Sequence, residues 1–271
     1  MEKLTGTAMQ RDLRFQAGRL PESLSQTGGS PLDGEPAPIG AAHAVSSDPV
    51  NSTTAKIIDS YALSPLQQGM LFHHLEASDS GVDIEQVTCA LDEVVERDAF
   101  RSAWQAVFQR HTILRTSFRW QDAGEPRQDV HEQATVEMAQ IDWSGVSAEL
   151  QEERWLGLLA ADRRRGFDLR IMPLLRLTLV ELAQNRFRLL WTFHHMLLDG
   201  RSFPILLREV FEVYQAIRDG KQVVFPETRP YREYINWLSH QDPGRSEAYW
   251  RGLLRGFHAP NQIALPPARS S

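Results

Sequence analysis

The runs Leu174–Leu182 (LLRLTLVEL) and Arg186–Phe193 (RFRLLWTF), with His194-His195-Met196-Leu197-Leu198-Asp199-Gly200 directly after them, decide how this chain folds. The runs alternate around the break Ala183-Gln184-Asn185, which signals two strands joined as a hairpin. In the second run Phe187, Leu189, Trp191 and Phe193 are spaced by two and share one face. The stretch His194–Gly200 falls where this apolar strand ends and a helix over residues 201–219 begins, with Gly220 as its stop.

Outward from that junction, Ser64-Pro65-Leu66-Gln67 reads as a capping box with proline at the first helical position. Leu66, Met70 and Leu75 then lie near one face of a helix ending at about Glu76. Val82–Leu91 reads as a strand. Asp98 is expected to cap a second helix, with Phe100, Trp104, Val107 and Phe108 in one stripe. Thr112–Trp120 reads as a strand, because Leu114, Thr116 and Phe118 alternate with Arg115, Ser117 and Arg119. A turn at Asp122-Ala123-Gly124 leads to strands near Arg127–His131 and Thr135–Ile141. A long helix from Ser147 to about Arg165 stops at Gly166, and helical patterns near Tyr231–His240 and Ser246–Arg255 follow. No internal repeat is visible. This order specifies an α/β fold, a mixed sheet with helices packed on it.

Of the first 55 positions 11 are proline or glycine, against 21 of the remaining 216, and Phe15 is the one aromatic residue among them. Such scant apolar surface cannot offset the entropy of ordering the segment, so residues 1–55 read as a flexible leader and 56–271 as the folded part. A short helix near Gln10–Leu20 could form on a partner. Thr27-Gly28-Gly29-Ser30 reads as linker rather than phosphate loop, since no lysine or helical pattern follows. Net charge is -6, which gives no basic face for nucleic acid. No run approaches the ~20 apolar residues of a spanning helix, and the opening residues lack the ~7–15-residue apolar stretch of a secretory signal. The single cysteine, Cys89, rules out an intrachain disulfide and reads as a buried strand residue. A cytoplasmic protein, with no membrane partner, is expected.

The densest chemistry is at His194 and His195. Neighbours on a strand point to opposite faces, so one ring is expected against packed side chains and the other toward a cavity. Because the strand ends here, periodicity leaves open which ring is free. Three readings compete. A zinc site needs a third protein ligand, and only His195 and Asp199 have helix-face spacing. Two part-buried histidines at a strand end are the plain structural alternative. The third is a general base for acyl transfer, since imidazole titrates near ~6.5. Asp199 would then orient the ring or brace the loop, and Gly200 would let backbone approach a reacting carbonyl. No Gly-x-Ser-x-Gly elbow is present and Cys89 lacks an activating pattern, so a covalent acyl-enzyme is not expected. Direct transfer to an α-amine, whose pKa is near ~7.7–8.0, makes a modest demand that positioning and the removal of one proton can meet.

Four stretches, in order, resemble the condensation domain of nonribosomal peptide synthetases, within the HHxxxDG acyltransferase group that includes chloramphenicol acetyltransferase. Leu63–His73 (LSPLQQGMLFH) is similar to the family's first helix motif and Arg110–Phe118 (RHTILRTSF) to its RHxxLRTxF motif. His194–Gly200 resembles HHxxxDG, and Arg229–Trp237 (RPYREYINW) the motif that follows the first lobe. The resemblance implies one lobe of a two-lobed, chloramphenicol acetyltransferase-like fold. It implies peptide-bond formation between a donor acyl group and an acceptor amine, both thioesters on carrier proteins. No cofactor binds directly; phosphopantetheine arrives on those donor and acceptor carrier-protein partners. His195 would be catalytic. His194, Gly200, Arg115 and Arg110 would support the site, with Asp199 mainly structural and paired with Arg115 first or Arg110 second. An intact first histidine sets the chain apart from the heterocyclising branch, and LSPLQQGMLFH looks most like domains joining two L-configured residues.

The resemblance stops soon after the fourth motif, so the second lobe is expected to be missing, with a separate second lobe or an upstream synthetase as further partners. Whether the chain by itself is an enzyme is left open. The rivals are another HHxxxDG acyltransferase that uses acyl-CoA, and a catalytically silent remnant that only binds partners.

Overall fold

The computed structural model describes residues 16–17, 56–77, 80–121 and 124–258. Apart from Gln16–Ala17, the expected leader, the helix near Gln10–Leu20 and the linker at Thr27–Ser30 lie outside the described residues, as does most of the turn at Asp122–Gly124. In chain order the elements are β1 (Gln16–Ala17), β2 (Ile57–Ala62), α1 (Pro65–Glu76), β3 (Ile84–Leu91), α2 (Arg97–Arg110), a 3₁₀ turn (Thr112–Arg115), β4 (Thr116–Arg119), β5 (Arg127–His131) and β6 (Met138–Asp142). Then come α3 (Ala148–Arg165), β7 (Leu175–Ala183), β8 (Arg186–His194), α4 (Ser202–Arg218), α5 (Tyr231–Ser239) and α6 (Pro243–Leu253).

A five-stranded mixed sheet has the order β1-β3-β8-β7-β6, with β6 and β7 parallel and the other pairs antiparallel. A smaller antiparallel sheet has the order β2-β5-β4. The β7–β8 hairpin turns at Asn185, whose φ of 60° is the left-handed conformation a tight hairpin loop needs and asparagine tolerates. The two faces of the central strands are buried against different helices. Leu177, Leu179, Leu189, Trp191 and Phe193 pack with Trp104, Phe100 and Phe108 of α2 and with Leu206, Leu207 and Val210 of α4. Val180, Leu182 and Leu190 pack on the other side with Trp155 of α3 and Trp143. Burial on both faces is what a central strand covered by two helix layers requires.

A polar cross-tie holds α3 to the sheet. Arg176 on β7 donates from Nε to Asp162 Oδ1 at 2.5 Å and from Nη1 to Gly166 O at 2.8 Å, and lies over the Phe167 ring. The other oxygen of Asp162 accepts from Gln86 Nε2 at 3.1 Å and from the Thr192 hydroxyl. The adjacent strands β3, β8 and β7 therefore all contribute to one buried carboxylate.

Two local readings are corrected, and one strand is added. Thr112–Arg115 is a 3₁₀ turn, and the strand starts only at Thr116. Leu114 N–H turns back to His111 O at 3.1 Å and the Thr116 hydroxyl to Thr112 O at 3.0 Å, so Leu114 and Arg115 are both buried instead of alternating. Asp98 does not cap α2; it lies inside the first turn, and the cap position, Glu96, makes no side-chain cap bond. A tertiary contact substitutes for the cap at this end, since Glu96 N–H donates to the Tyr214 hydroxyl at 2.9 Å. Strand β2 had no sequence expectation. Its adjacent Ile57 and Ile58 are both about half exposed, so no alternation marks them, and pairing with β5 supplies the strand.

Asp162→Ala strands the Arg176 guanidinium in a buried position and is expected to cost roughly 3–5 kcal/mol. Asp162→Leu/Arg176→Met, which removes both charges, recovers most of that loss in urea unfolding.

Candidate active site

The functional stretch begins as the last residue of β8 and turns into α4. His194 ends the strand on the face shared with Leu190 and Thr192 and is 1% exposed. Its Nδ1 accepts the Met196 N–H at 3.2 Å, so Nδ1 carries a lone pair and the neutral ring holds its proton on Nε2. That Nε2 is buried without a hydrogen-bond partner among the described residues, and the ring meets His74 of α1 edge-on, 5.5 Å between centroids. Burial, then the neighbouring His74 and His195, push the His194 pKa down to about 3. The ring is therefore neutral at any ordinary working pH.

His195 sits in the following turn and is partly exposed. Its backbone N–H donates to Asp83 O at 2.8 Å, and its Nδ1 lies 2.7 Å from Leu198 O. A carbonyl can only accept, so Nδ1 holds the proton and Nε2 carries the lone pair. No described residue is hydrogen-bonded to that Nε2. The two adjacent rings thus have opposite tautomers. His194 is a packed, neutral ring; His195 offers a bare basic nitrogen. Of the two rings, His195 is the more exposed.

Asp199 and the two arginines are arranged differently from the expected pairing. Asp199 Oδ1 accepts the Ser202 hydroxyl at 2.6 Å, the Ser202 N–H at 2.8 Å and the Arg201 N–H at 3.1 Å. These bonds, the Ser202 hydroxyl first, hold its carboxyl below the usual range. The aspartate secures the start of α4, as acidic groups at helix N-termini do. Arg115 is 6% exposed, and burial lowers its pKa. It donates from Nε to Gln109 O at 3.1 Å and from Nη1 to Glu132 O at 3.0 Å and to His131 O. The 3₁₀ turn explains the difference, because it rotates Arg115 inward onto these carbonyls. Arg110 lies 3.3 Å from Glu209 of α4, donates to Pro226 O at 2.6 Å and covers the Phe225 ring. His111 Nε2 meets the same Glu209 carboxylate at 2.6 Å. The Arg110-His111 pair therefore clamps α2 to α4 and does not reach Asp199.

A Cβ placed on Gly200 would meet nothing within 4 Å, so the space beside it is open. On the His194 side a narrow cleft is lined by His74, Ser80, Asp83, Arg163, Phe167 and His194. Among the described residues no group of three or more His, Cys, Asp or Glu side chains is placed to hold a metal ion. Sequence reasoning missed His74, Glu209, Gln67 and Gln128; only Gln67 carried a signal, as the third residue of the helix cap.

Five- and three-stranded sheets with helices packed on both faces of the larger one define a chloramphenicol acetyltransferase-like α/β lobe. The family model described as "Condensation domain" matches residues 57–271, and the chain belongs to the condensation-domain family of nonribosomal peptide synthetases. It is 41% identical over 203 residues, 75% of its length, to a linear gramicidin synthase of Brevibacillus parabrevis, and covers 3% of that protein. It is 35% identical over 203 residues to bacitracin synthase 3 of Bacillus licheniformis, covering 75% of this chain and 3% of that one. In structure it is similar to the starter condensation domain of rhizomide synthetase RzmA, with a TM-score of 0.64 at 22% identity, covering 78% of this chain and 55% of that one. The first condensation domain of the calcium-dependent antibiotic synthetase gives a TM-score of 0.65 at 20% identity, covering 75% and 49% respectively. The chain therefore spans about half of the solved domains it matches.

Two measurements follow from this geometry. His194 titrates near ~6.5 when unfolded and at about 3 when folded. Between those values the unfolded chain binds the extra proton, so this contribution is complete above about pH 6.5 and shrinks as pH falls toward 3. At pH 5 the loss from this group is at most about 2 kcal/mol. Urea unfolding at pH 7.5 and 5.0 should show a decline that His194→Asn makes shallower. Separately, Asp199→Ala and Arg115→Ala share no partner, so their stability losses should add within ~0.5 kcal/mol in a double-mutant cycle.

Proposed function

We propose that His195 is the general base for peptide-bond formation between a donor acyl thioester and an acceptor aminoacyl thioester, each delivered on the phosphopantetheine arm of a carrier protein. The observation that carries this reading is the Nδ1–H bond to Leu198 O, which leaves the lone pair on Nε2, an atom with no hydrogen bond to a described residue. The acceptor amine nitrogen attacks the donor carbonyl carbon. The new C–N bond forms as the C–S bond breaks, the amine proton passes to Nε2, and the departing thiolate takes it up as a thiol. An α-amine near ~7.7–8.0 needs little activation, so holding the two thioesters together and removing one proton supplies most of the acceleration.

In this scheme His194 is the packed ring at the back of the loop, and Asp199 fixes the start of α4. Arg110 and Arg115 brace α2 and the turn after it, and the open space at Gly200 admits the substrate's reacting end. The chain spans about half of the solved domains it resembles, and a second lobe would complete a substrate channel. Residues 1–55 are read as a leader, and the cytoplasm as the site of action. The relatives at 35–41% identity are peptide synthetases, which favours a carrier-bound aminoacyl donor over acyl-CoA.

The test supplies aminoacyl carrier donors and acceptors to the chain, with and without a separately expressed second lobe, and reads dipeptidyl carrier by mass spectrometry. Product is expected when the second lobe is present. His195→Ala should lower its rate by ~10²-fold or more with an unchanged melting temperature. Absence of product in both arms would overturn the reading in favour of a partner-binding remnant, and product from an acyl-CoA donor alone would shift it to the acyl-CoA class.

A further inference from the structure

The turn that carries His195 is held from one side by the large sheet and from the other by a side chain that belongs to neither the histidine stretch nor the arginine stretch. Gln67, in the first turn of α1, and Gln128, on β5, are 3% and 0% exposed. Their amides pair reciprocally. Gln67 Nε2 donates to Gln128 Oε1 at 3.3 Å, and Gln128 Nε2 donates to Gln67 Oε1 at 3.1 Å. The second proton of Gln67 Nε2 goes to Met196 O at 3.1 Å, and its Oε1 also accepts the Ser64 N–H at 2.9 Å. Gln128 is fixed in turn by Ala62 O at 3.0 Å. A primary amide has two donor protons and two acceptor lone pairs, and Gln67 uses all four.

The consequence falls on the peptide that follows His195. Met196 is 3% exposed; its N–H is held by His194 Nδ1 and its C=O by Gln67. With His195 N–H on Asp83 O and Leu197 N–H on His194 O, the turn has one geometry, and the carbonyl of Leu198 stands where it meets His195 Nδ1. Without Gln67, a buried carbonyl loses its partner and the turn can rotate to recover one. The bond that fixes the His195 tautomer would go with it.

We infer that Gln67, braced by Gln128, is a positioning residue that sets the tautomer and aim of His195. The inference rests on the reading of His195 as the base, and its test separates the two. The full chain, labelled with ¹⁵N in its histidine rings, reports the tautomer of His195 by NMR without any substrate. The wild-type ring is expected in the Nδ1–H form. In Gln67→Met the Nε2–H form should rise, and in the assay with the second lobe kcat should fall ~10²-fold, with KM little changed. Ser64→Ala is the control: it removes the cap hydroxyl at the same helix start, and should lower the melting temperature while leaving the His195 tautomer and kcat as they were. If Gln67→Met does not fold, Gln67→Asn, one methylene too short to reach Met196, and Gln128→Met give the same readouts. A folded Gln67 variant with the wild-type His195 tautomer would overturn the inference. A tautomer that shifts as expected in a chain that forms no dipeptide supports the inference and removes the catalytic reading instead.

Discussion

Two imidazoles next to each other in sequence are held in opposite tautomers by backbone groups of one short turn. Everything else at the site depends on this. Met196 N–H is offered to His194 Nδ1 and Leu198 O to His195 Nδ1, so one ring faces a donor and its neighbour an acceptor. A peptide backbone alternates such groups at fixed spacing, and a tight turn can present both within four residues. No charged partner is needed to set either ring. The first ring loses its basicity through burial, and the second keeps a lone pair on Nε2 with no hydrogen bond to a described residue.

The turn can only do this if the two elements it joins are immobile. β8 is fixed on one face by Trp104 and Phe193 packing about Trp191, and on the other through Thr192 to the Asp162–Arg176 pair. α4 is fixed at its start by the Asp199 carboxylate and further along by Glu209, which the Arg110-His111 pair grips from α2. A buried carboxylate with two cationic or cation-capable partners is costly to desolvate but highly directional. Glu209 therefore ties α4 to the end of α2. The polar residues of the Arg110–Phe118 stretch belong to this framework.

Much of this was legible in the sequence, for reasons tied to particular residues. The alternation Phe187, Leu189, Trp191, Phe193 revealed the hairpin and its core face, because strand periodicity survives whatever packs on it. Ser147 and Gly166 bounded α3 because caps act within one turn. The end of the 3₁₀ segment was not legible. Leu114, Thr116 and Phe118 alternate as a strand would, yet Arg115 finds three backbone carbonyls only when the chain coils. Those carbonyls, on Gln109, His131 and Glu132, lie up to 17 residues away. Gln67 was visible as a cap and invisible as a loop clamp for the same reason, since Met196 is 129 residues further on. Local physics writes itself into adjacent letters; a side chain's distant partner does not.

Most of the polar groups around the turn are committed to hydrogen bonds. Asp199 commits Oδ1 to Arg201 and Ser202, Arg115 its donors to three carbonyls, and His194 its lone pair to Met196. Glu209 is taken by Arg110 and His111, and Gln67 is fully hydrogen-bonded. A group already committed to a good hydrogen bond must break it before it can accept a substrate proton, and inside a protein that costs the desolvation of both partners. Of the ring nitrogens of His194 and His195, Nε2 of His195 is the one whose lone pair has no hydrogen bond to a described residue. On these two rings, a proton can be taken up without first breaking a hydrogen bond only at position 195.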